Sequence, residues 1–214
     1  MGFLDPQGPL FERLSKLSPV TTQQVSQALV EAVAKGWNPT KTAAMLQNQY
    51  GMALTDALRM TRTSQLYSYR ESSRASYAAN SDVLTGWQWH ANLDGLTCMA
   101  CTAQHGSIHP MNERLNGHHN CRCAMLPITE VFGAHMDEAA GQQWFEGLGE
   151  AEQKKMMGAG KFQLWKEGKI TLDQLVDTHT DSVYGEMLTE NSLKTVLRRA
   201  QIYDKSIRIG KKGT

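Results

Sequence analysis

The chain has 214 residues, of which 41% are hydrophobic and 20% are charged, and these fractions are typical of globular domains rather than of disordered or membrane proteins. No apolar run reaches the roughly 20 residues that cross a bilayer, and the first residues lack the basic start and apolar core of a secretory signal. The formal net charge of +1 is unevenly spread, since residues 136–190 hold 11 acidic and 5 basic side chains whereas residues 201–214 form a basic tail. Such a tail is either a solubilising segment or a contact for nucleic acid.

The first predicted elements are two helices that form a short hairpin. Residues 21–35 place apolar side chains at helical spacing, with Thr21 starting a capping box and Gly36 as a C-terminal stop. Asn38 and Pro39 then predict the cap and first turn of a second helix.

Residues 55–80 contain no Gly or Pro and predict one long helix. At about 100° per residue, four arginines fall on one face: Arg59, Arg62, Arg70 and Arg74. The opposite face, which carries small residues, is predicted to pack against other backbone: Ala57, Ser64, Ser68, Ala75 and Ala79. The arginine face is either a solvated surface with local ion pairs or a surface that binds a partner.

The period of the pattern changes after residue 86. Trp87 and Trp89 alternate with the polar Gln88 and His90, which is typical of a half-buried strand. A second strand is predicted over residues 121–127. Between them the sequence is rich in Gly, Pro, Asn and His, which predicts a small irregular β unit held by something other than a large core.

Helical patterns return after residue 132 in short pieces punctuated by glycine. They cover residues 136–148, 150–157, 161–167, 171–179 and 192–200. The predicted fold class is α+β, mainly α, with helical N- and C-terminal parts around a small irregular β unit that carries a Cys/His cluster. The predicted domain organisation is an N-terminal helical region, a Cys/His-rich β centre, C-terminal short helices and the basic tail, at residues 1–84, 85–130, 131–200 and 201–214.

All four cysteines lie between residues 98 and 123, and without an export signal we expect reduced thiols. Clustered thiols favour a metal over a disulfide, and thiolates with imidazole are the ligands that Zn²⁺ prefers. The candidate ligands are Cys98, Cys101, His119, Cys121 and Cys123, with His118 as an alternative to His119. Two other hypotheses stay open: the cysteines form a metal-free cluster of buried thiols, or they form disulfides.

Enzymatic motifs are weak by comparison. The sequence has no phosphate loop, no serine elbow and no dinucleotide fingerprint. The carboxylates nearest the cysteines, Asp94 and Glu113, do not stand in the spacing of a hydrolytic metal centre. A nuclease built on His105, His109 and His118 is the alternative, and we expect a protein that is not an enzyme.

Residues 86–123 resemble the central domain of the phage Mu F-like family of minor head proteins. The resemblance is carried by a tryptophan strand, an aspartate shortly before a Cys-x-x-Cys pair and a closing motif, here Trp87, Trp89, Asp94, Cys98, Cys101 and His118-His119-Asn120-Cys121-Arg122-Cys123. Weaker similarity extends over residues 20–200. Ser64 stands where the family commonly has a glutamate.

The resemblance implies a low-copy protein of the virion interior, incorporated during assembly in the host cytoplasm. Its implied partners are the portal protein and other head proteins, and its implied role is head morphogenesis, DNA packaging or genome delivery. The arginine face, with Lys211 and Lys212 in the tail, is suited to sequence-independent contact with double-stranded DNA. No membrane partner is expected. The alternative is a metal-dependent nuclease or toxin-like enzyme on the same scaffold.

Overall fold

Three helices begin the part of the chain that the computed structural model describes, which is residues 19–181 and 184–202. These residues group into two compact units. The first unit contains the described residues up to Ala79 together with residues 116–122 and the described part of 179–187. The second contains residues 80–115, 123–178 and the described residues from Leu188 onward.

The helices of the first unit are α1 (Pro19–Ala34), α2 (Pro39–Tyr50) and α3 (Leu54–Ala79). Helix α1 begins before Thr21, so the predicted capping box at Thr21 is wrong. Its end is as predicted, because Gly36 has a φ of +60° and the Trp37 N–H donates to the Ala32 carbonyl at 2.9 Å, which is a Schellman arrangement.

The start of α2 confirms the predicted cap. The Asn38 side chain accepts a hydrogen bond from the Thr40 N–H at 2.8 Å, and Pro39 occupies the first turn. The core of the unit joins the three helices with two residues from 179–187 and consists of Val25, Ala28, Leu29, Ala43, Leu46, Ala57, Tyr184 and Met187.

The predicted division of α3 into a small packed face and an exposed arginine face holds only for its first half. Ala57 and Ser64 are fully buried, but Ala75 and Ala79 are exposed. Arg70, predicted to be exposed, is only 7% exposed. The reason is that residues 116–122 cover this part of the helix, a contact that the periodicity of one helix does not reveal.

The second unit contains an antiparallel sheet of β1 (Leu84–His90), β2 (Ile108–His109) and β3 (Ala124–Thr129), in the order β2-β1-β3. The predicted half-buried alternation in β1 is wrong, because Gln88 is as fully buried as Trp87. Its amide nitrogen donates to two carbonyls at 2.7 Å, and its oxygen accepts from two backbone N–H groups. The strand predicted over residues 121–127 is β3, which begins only at Ala124. Cys121 therefore precedes the strand, contrary to the prediction.

The helices of the second unit are α4 (Met99–Gln104), α5 (Ala140–Glu146), α6 (Glu150–Met157), α7 (Ala159–Lys166) and α8 (Leu193–Arg199). The bounds of α6 are those predicted, and α8 is capped by Ser192, whose hydroxyl accepts from the Thr195 N–H at 3.2 Å. Their buried core includes Met99, Phe145, Met157, Leu164, Leu175 and Val196.

The helix predicted over residues 171–179 is wrong. The chain forms a 3-10 turn at Asp173–Leu175 and then strand β4 (Val176–Asp181), which pairs with β5 (Gly185–Glu190). The β-branched residues of β4 explain the strand, since they favour extended backbone. The mainly helical α+β fold class is confirmed. Across the described ranges, no helix combines the length and apolarity needed to cross a bilayer.

Candidate metal centre

The Cys-x-x-Cys pair lies at the start of α4. Cys98 is the N-cap residue, and its Sγ accepts a hydrogen bond from the Cys101 N–H at 3.4 Å. The loop before it is ordered by Asp94, whose Oδ1 accepts from the Leu96 N–H at 2.9 Å. Asp94 therefore has a structural role in the turn that leads to Cys98.

Thiol groups converge next to this turn. In the second unit, the Sγ of Cys101 lies within 4.8 Å of the Sγ atoms of both Cys98 and Cys123. We call these three residues, Cys98, Cys101 and Cys123, the thiol cluster. The other candidate ligands, His118 and Cys121, lie in the first unit. All four cysteines are free thiols, and Cys101, Cys121 and Cys123 are at most 3% exposed.

A tight turn presents Cys121. The Cys121 N–H donates to the His118 carbonyl at 3.0 Å, and Asn120 adopts the left-handed conformation with a φ of +59°, which asparagine tolerates better than most residues. The Asn120 N–H donates to Oγ1 of Thr63 at 3.1 Å, so α3 supports the turn.

The two adjacent histidines have different surroundings. The Nδ1 of His118 lies 2.7 Å from the carbonyl oxygen of His119, and because a carbonyl only accepts, Nδ1 is the donor in this contact. The Nε2 of His119 instead lies 3.4 Å from Oδ2 of Asp181, and its ring meets Tyr184 edge-on. The prediction that His119 is a metal ligand stays a prediction.

The predicted arginine surface is dispersed. Arg59 and Arg74 form ion pairs within α3, with Asp56 at 2.8 Å and Glu71 at 3.0 Å. Arg62 is exposed, whereas Arg70 is buried and its Nη2 donates to the carbonyl oxygen of Cys121 at 3.0 Å. Lys211 and Lys212 lie outside the described residues. Contact of these six residues with nucleic acid stays a prediction.

The other histidines near the cysteines have structural partners. His105 is 6% exposed, and its Nδ1 accepts from the Ala91 N–H at 2.9 Å. Burial, assisted by the neighbouring His90, holds the pKa of His105 below its ordinary value.

Sequence reasoning missed a row formed by Ser107, His109 and Glu113. The Ser107 hydroxyl lies 2.8 Å from Nε2 of His109, and Nδ1 of His109 lies 3.0 Å from Glu113. A nucleophilic serine would give its proton to the histidine, but this hydroxyl donates to the Gln104 carbonyl at 2.7 Å. His109 also stacks on Trp87, with ring centroids 4.3 Å apart, so the row serves to hold the β2 segment.

Sequence reasoning also missed two contacts with the backbone near the cysteines. Glu190 accepts a hydrogen bond from the Met99 N–H, and the buried Arg70 donates one to the Cys121 carbonyl. No local signal identifies either contact, because the paired residues are 91 and 51 positions apart.

No curated protein and no solved structure matches this chain. One protein family does match, over residues 23–126, a region that contains α2, α3, the sheet strand β1 and all four cysteines. The matching family is described as Phage Mu protein F like protein, and the match supports a Mu F-like head morphogenesis protein.

Proposed function

We propose that this protein is a minor head protein of a bacteriophage, located inside the capsid, associated with the portal protein and not an enzyme. The observation that carries the proposal is the family match over residues 23–126. Within that region the four cysteines are free thiols and three of them are buried, and buried thiols are suited to holding a fold together. The portal protein and other head proteins are its proposed partners.

Zinc is the proposed metal for these candidate ligands. The fit is good because the groups are free thiols and an imidazole, because three of the thiols are buried, and because a backbone N–H already donates to Cys98, as is favourable for a thiolate. Bound zinc would supply a cross-link between distant positions of the chain. The residues that the sequence pattern proposes to hold it are Cys98, Cys101, Cys121 and Cys123, with His118 or His119 able to replace one of them.

A structural rather than catalytic centre is favoured by the number and type of ligands. Four thiolates complete a tetrahedral shell, whereas hydrolytic zinc needs an open position and a placed base. The nearby carboxylates are engaged elsewhere, Asp94 in its turn and Glu113 with His109. We therefore expect plasmid DNA to stay intact when it is incubated with the protein and Mg²⁺, Mn²⁺ or Zn²⁺, and nicking abolished by a cluster variant would contradict this.

Contact with packaged DNA is the less supported part of the proposal. Arg59 and Arg62 are exposed on α3, and exposed arginines suit sequence-independent phosphate contacts whose strength falls with salt. Changing both to alanine should weaken binding in a gel shift at low salt, with Arg70 left in place because it is buried.

The assembly role is tested by producing the chain together with the portal protein of the same phage. We expect the two to co-sediment, and we expect the protein at few copies in purified heads by quantitative mass spectrometry. A protein that sediments alone and is absent from heads would overturn the proposal. The metal is tested separately by elemental analysis, with about one zinc per chain and a lower melting temperature after chelation as the expected result.

A further inference from the structure

The first amide of α4 is held by a carboxylate from far along the chain. Met99 is fully buried, and its N–H donates to Oε2 of Glu190 at 3.0 Å. Met99 follows Cys98 directly and precedes Cys101 by two positions. Glu190 therefore fixes the backbone from which both thiols of the Cys-x-x-Cys pair project.

Glu190 is anchored on its other side as well. Its Oε1 forms an ion pair with Nζ of Lys161 in α7, and that ammonium also donates to the Asn191 carbonyl at 3.4 Å. The side chains of Lys161 and Glu190 are 14% and 23% exposed. With one oxygen on the ammonium and the other on the amide, the carboxylate cannot turn away without leaving a buried N–H unpaired.

We propose that Glu190 is a positioning residue for metal binding: it holds the Met99 amide so that Cys98 and Cys101 are oriented before the ion arrives. Glu190 is not itself one of the candidate metal ligands. This inference rests on the proposed metal centre. Groups that orient metal ligands from outside the coordination shell change metal affinity by about 10–100-fold when they are removed, and we expect a loss at the lower end because an amide, rather than a ligand atom, is held.

The test is titration of the full-length reduced protein with Co²⁺, followed by the thiolate-to-cobalt absorption, with Zn²⁺ affinity then measured by competition against a chromophoric chelator. Glu190→Ala removes the acceptor, and we expect about tenfold weaker binding and an altered cobalt spectrum. Glu190→Gln keeps an acceptor oxygen and should bind nearly as wild type does. Circular dichroism of the metal-free proteins checks that each variant is folded.

The chain offers a matched control in Glu150, which forms a similar carboxylate–ammonium pair with Lys166 at 2.6 Å but on the surface. Glu150→Ala should leave metal affinity unchanged. If Glu190→Ala does not fold, Lys161→Met takes its place, because it frees the carboxylate while the acceptor remains, and a smaller loss of affinity is expected.

The possible results distinguish a failure of the proposed metal centre from a failure of the proposed role of Glu190. A wild-type protein that shows no thiolate-to-cobalt absorption would overturn the metal centre and Glu190's role together. Wild-type binding that Glu190→Ala, or its substitute Lys161→Met, leaves unchanged in affinity and spectrum would overturn the role of Glu190 alone.

Discussion

Arg70 donates a hydrogen bond from Nη2 to the carbonyl oxygen of Cys121 at 3.0 Å, across 51 positions of sequence. Arg70 is almost completely buried at 7% exposure, and its guanidinium lies against the turn that contains Gly117 and Cys121. A buried arginine that holds a backbone carbonyl contributes to folding, because truncation leaves the carbonyl without its charged donor.

Replacing Arg70 should therefore destabilise the protein. We expect Arg70→Ala to lower the free energy of unfolding by about 2–3 kcal/mol, from the lost charge-assisted bond and the cavity left by the side chain. The measurement is urea unfolding monitored by circular dichroism. Arg62→Ala, on the exposed side of the same helix, is the control and should change stability by less than about 0.5 kcal/mol. Equal effects at the two positions would show that Arg70 is not structural.

Gly117 lies where the packing leaves no room for a larger side chain. A Cβ at Gly117 would lie 2.5 Å from Nη1 of Arg70 and 2.8 Å from Sγ of Cys121. Gly117→Ala should cost about 1–3 kcal/mol through this overlap, and it should also reduce metal content by displacing the sulfur.

Gly95 provides the comparison for Gly117, since nothing lies within 4 Å of a Cβ built there. Gly95→Ala should be close to neutral in the same unfolding experiment. A Gly117→Ala protein as stable as Gly95→Ala, with the same zinc content, would mean that the turn can move away from Arg70.

The adjacent histidines give a prediction that separates metal binding from packing. His119 lies against Asp181 and Tyr184, so His119→Ala should lower stability by about 0.5–1 kcal/mol. Zinc per chain, measured by elemental analysis, should not change. Loss of zinc in this variant, with full retention in His118→Ala, would show that His119 is a metal ligand, as the sequence pattern predicts.

Local sequence patterns predicted most of the helices. They did not predict which side chains become buried by contacts with distant parts of the chain. Caps and stops such as Asn38 and Gly36 act within a few residues, so their effect can be read from sequence. The burial of Gln88 could not be predicted, because its partners lie 18 and 48 positions away and convert a polar residue into a satisfied core residue. The β4 strand was missed because helical spacing outweighed its β-branched residues.

The same holds for the candidate site: its local features could be predicted from the sequence, and its tertiary contacts could not. The clustering of cysteines in the sequence predicted that their thiols come together, and in the second unit the Sγ of Cys101 lies within 4.8 Å of the Sγ atoms of Cys98 and Cys123. The predicted strand over residues 121–127 did not reveal the turn over residues 118–121, in which Asn120 is left-handed. Glu190 contacts the Met99 N–H and Arg70 contacts the Cys121 carbonyl across long stretches of sequence. The spacing of residues in the sequence does not predict such tertiary contacts.

His105 makes the stability of the protein depend on pH. Burial and the neighbouring His90 hold the pKa of His105 below its ordinary value, so in the acidic range the unfolded chain binds a proton at this position that the folded chain does not. Stability from this residue is therefore present near neutral pH and is lost as the pH falls below the unfolded pKa of about 6.5. The variant His105→Asn keeps an acceptor for the Ala91 N–H without a titrating group. The difference in unfolding free energy between wild type and this variant should favour wild type more at pH 7 than at pH 5, measured by urea unfolding at both values. A difference that does not vary with pH would show that His105 titrates alike in the folded and unfolded chains, and would leave its role to the hydrogen bond with Ala91 alone.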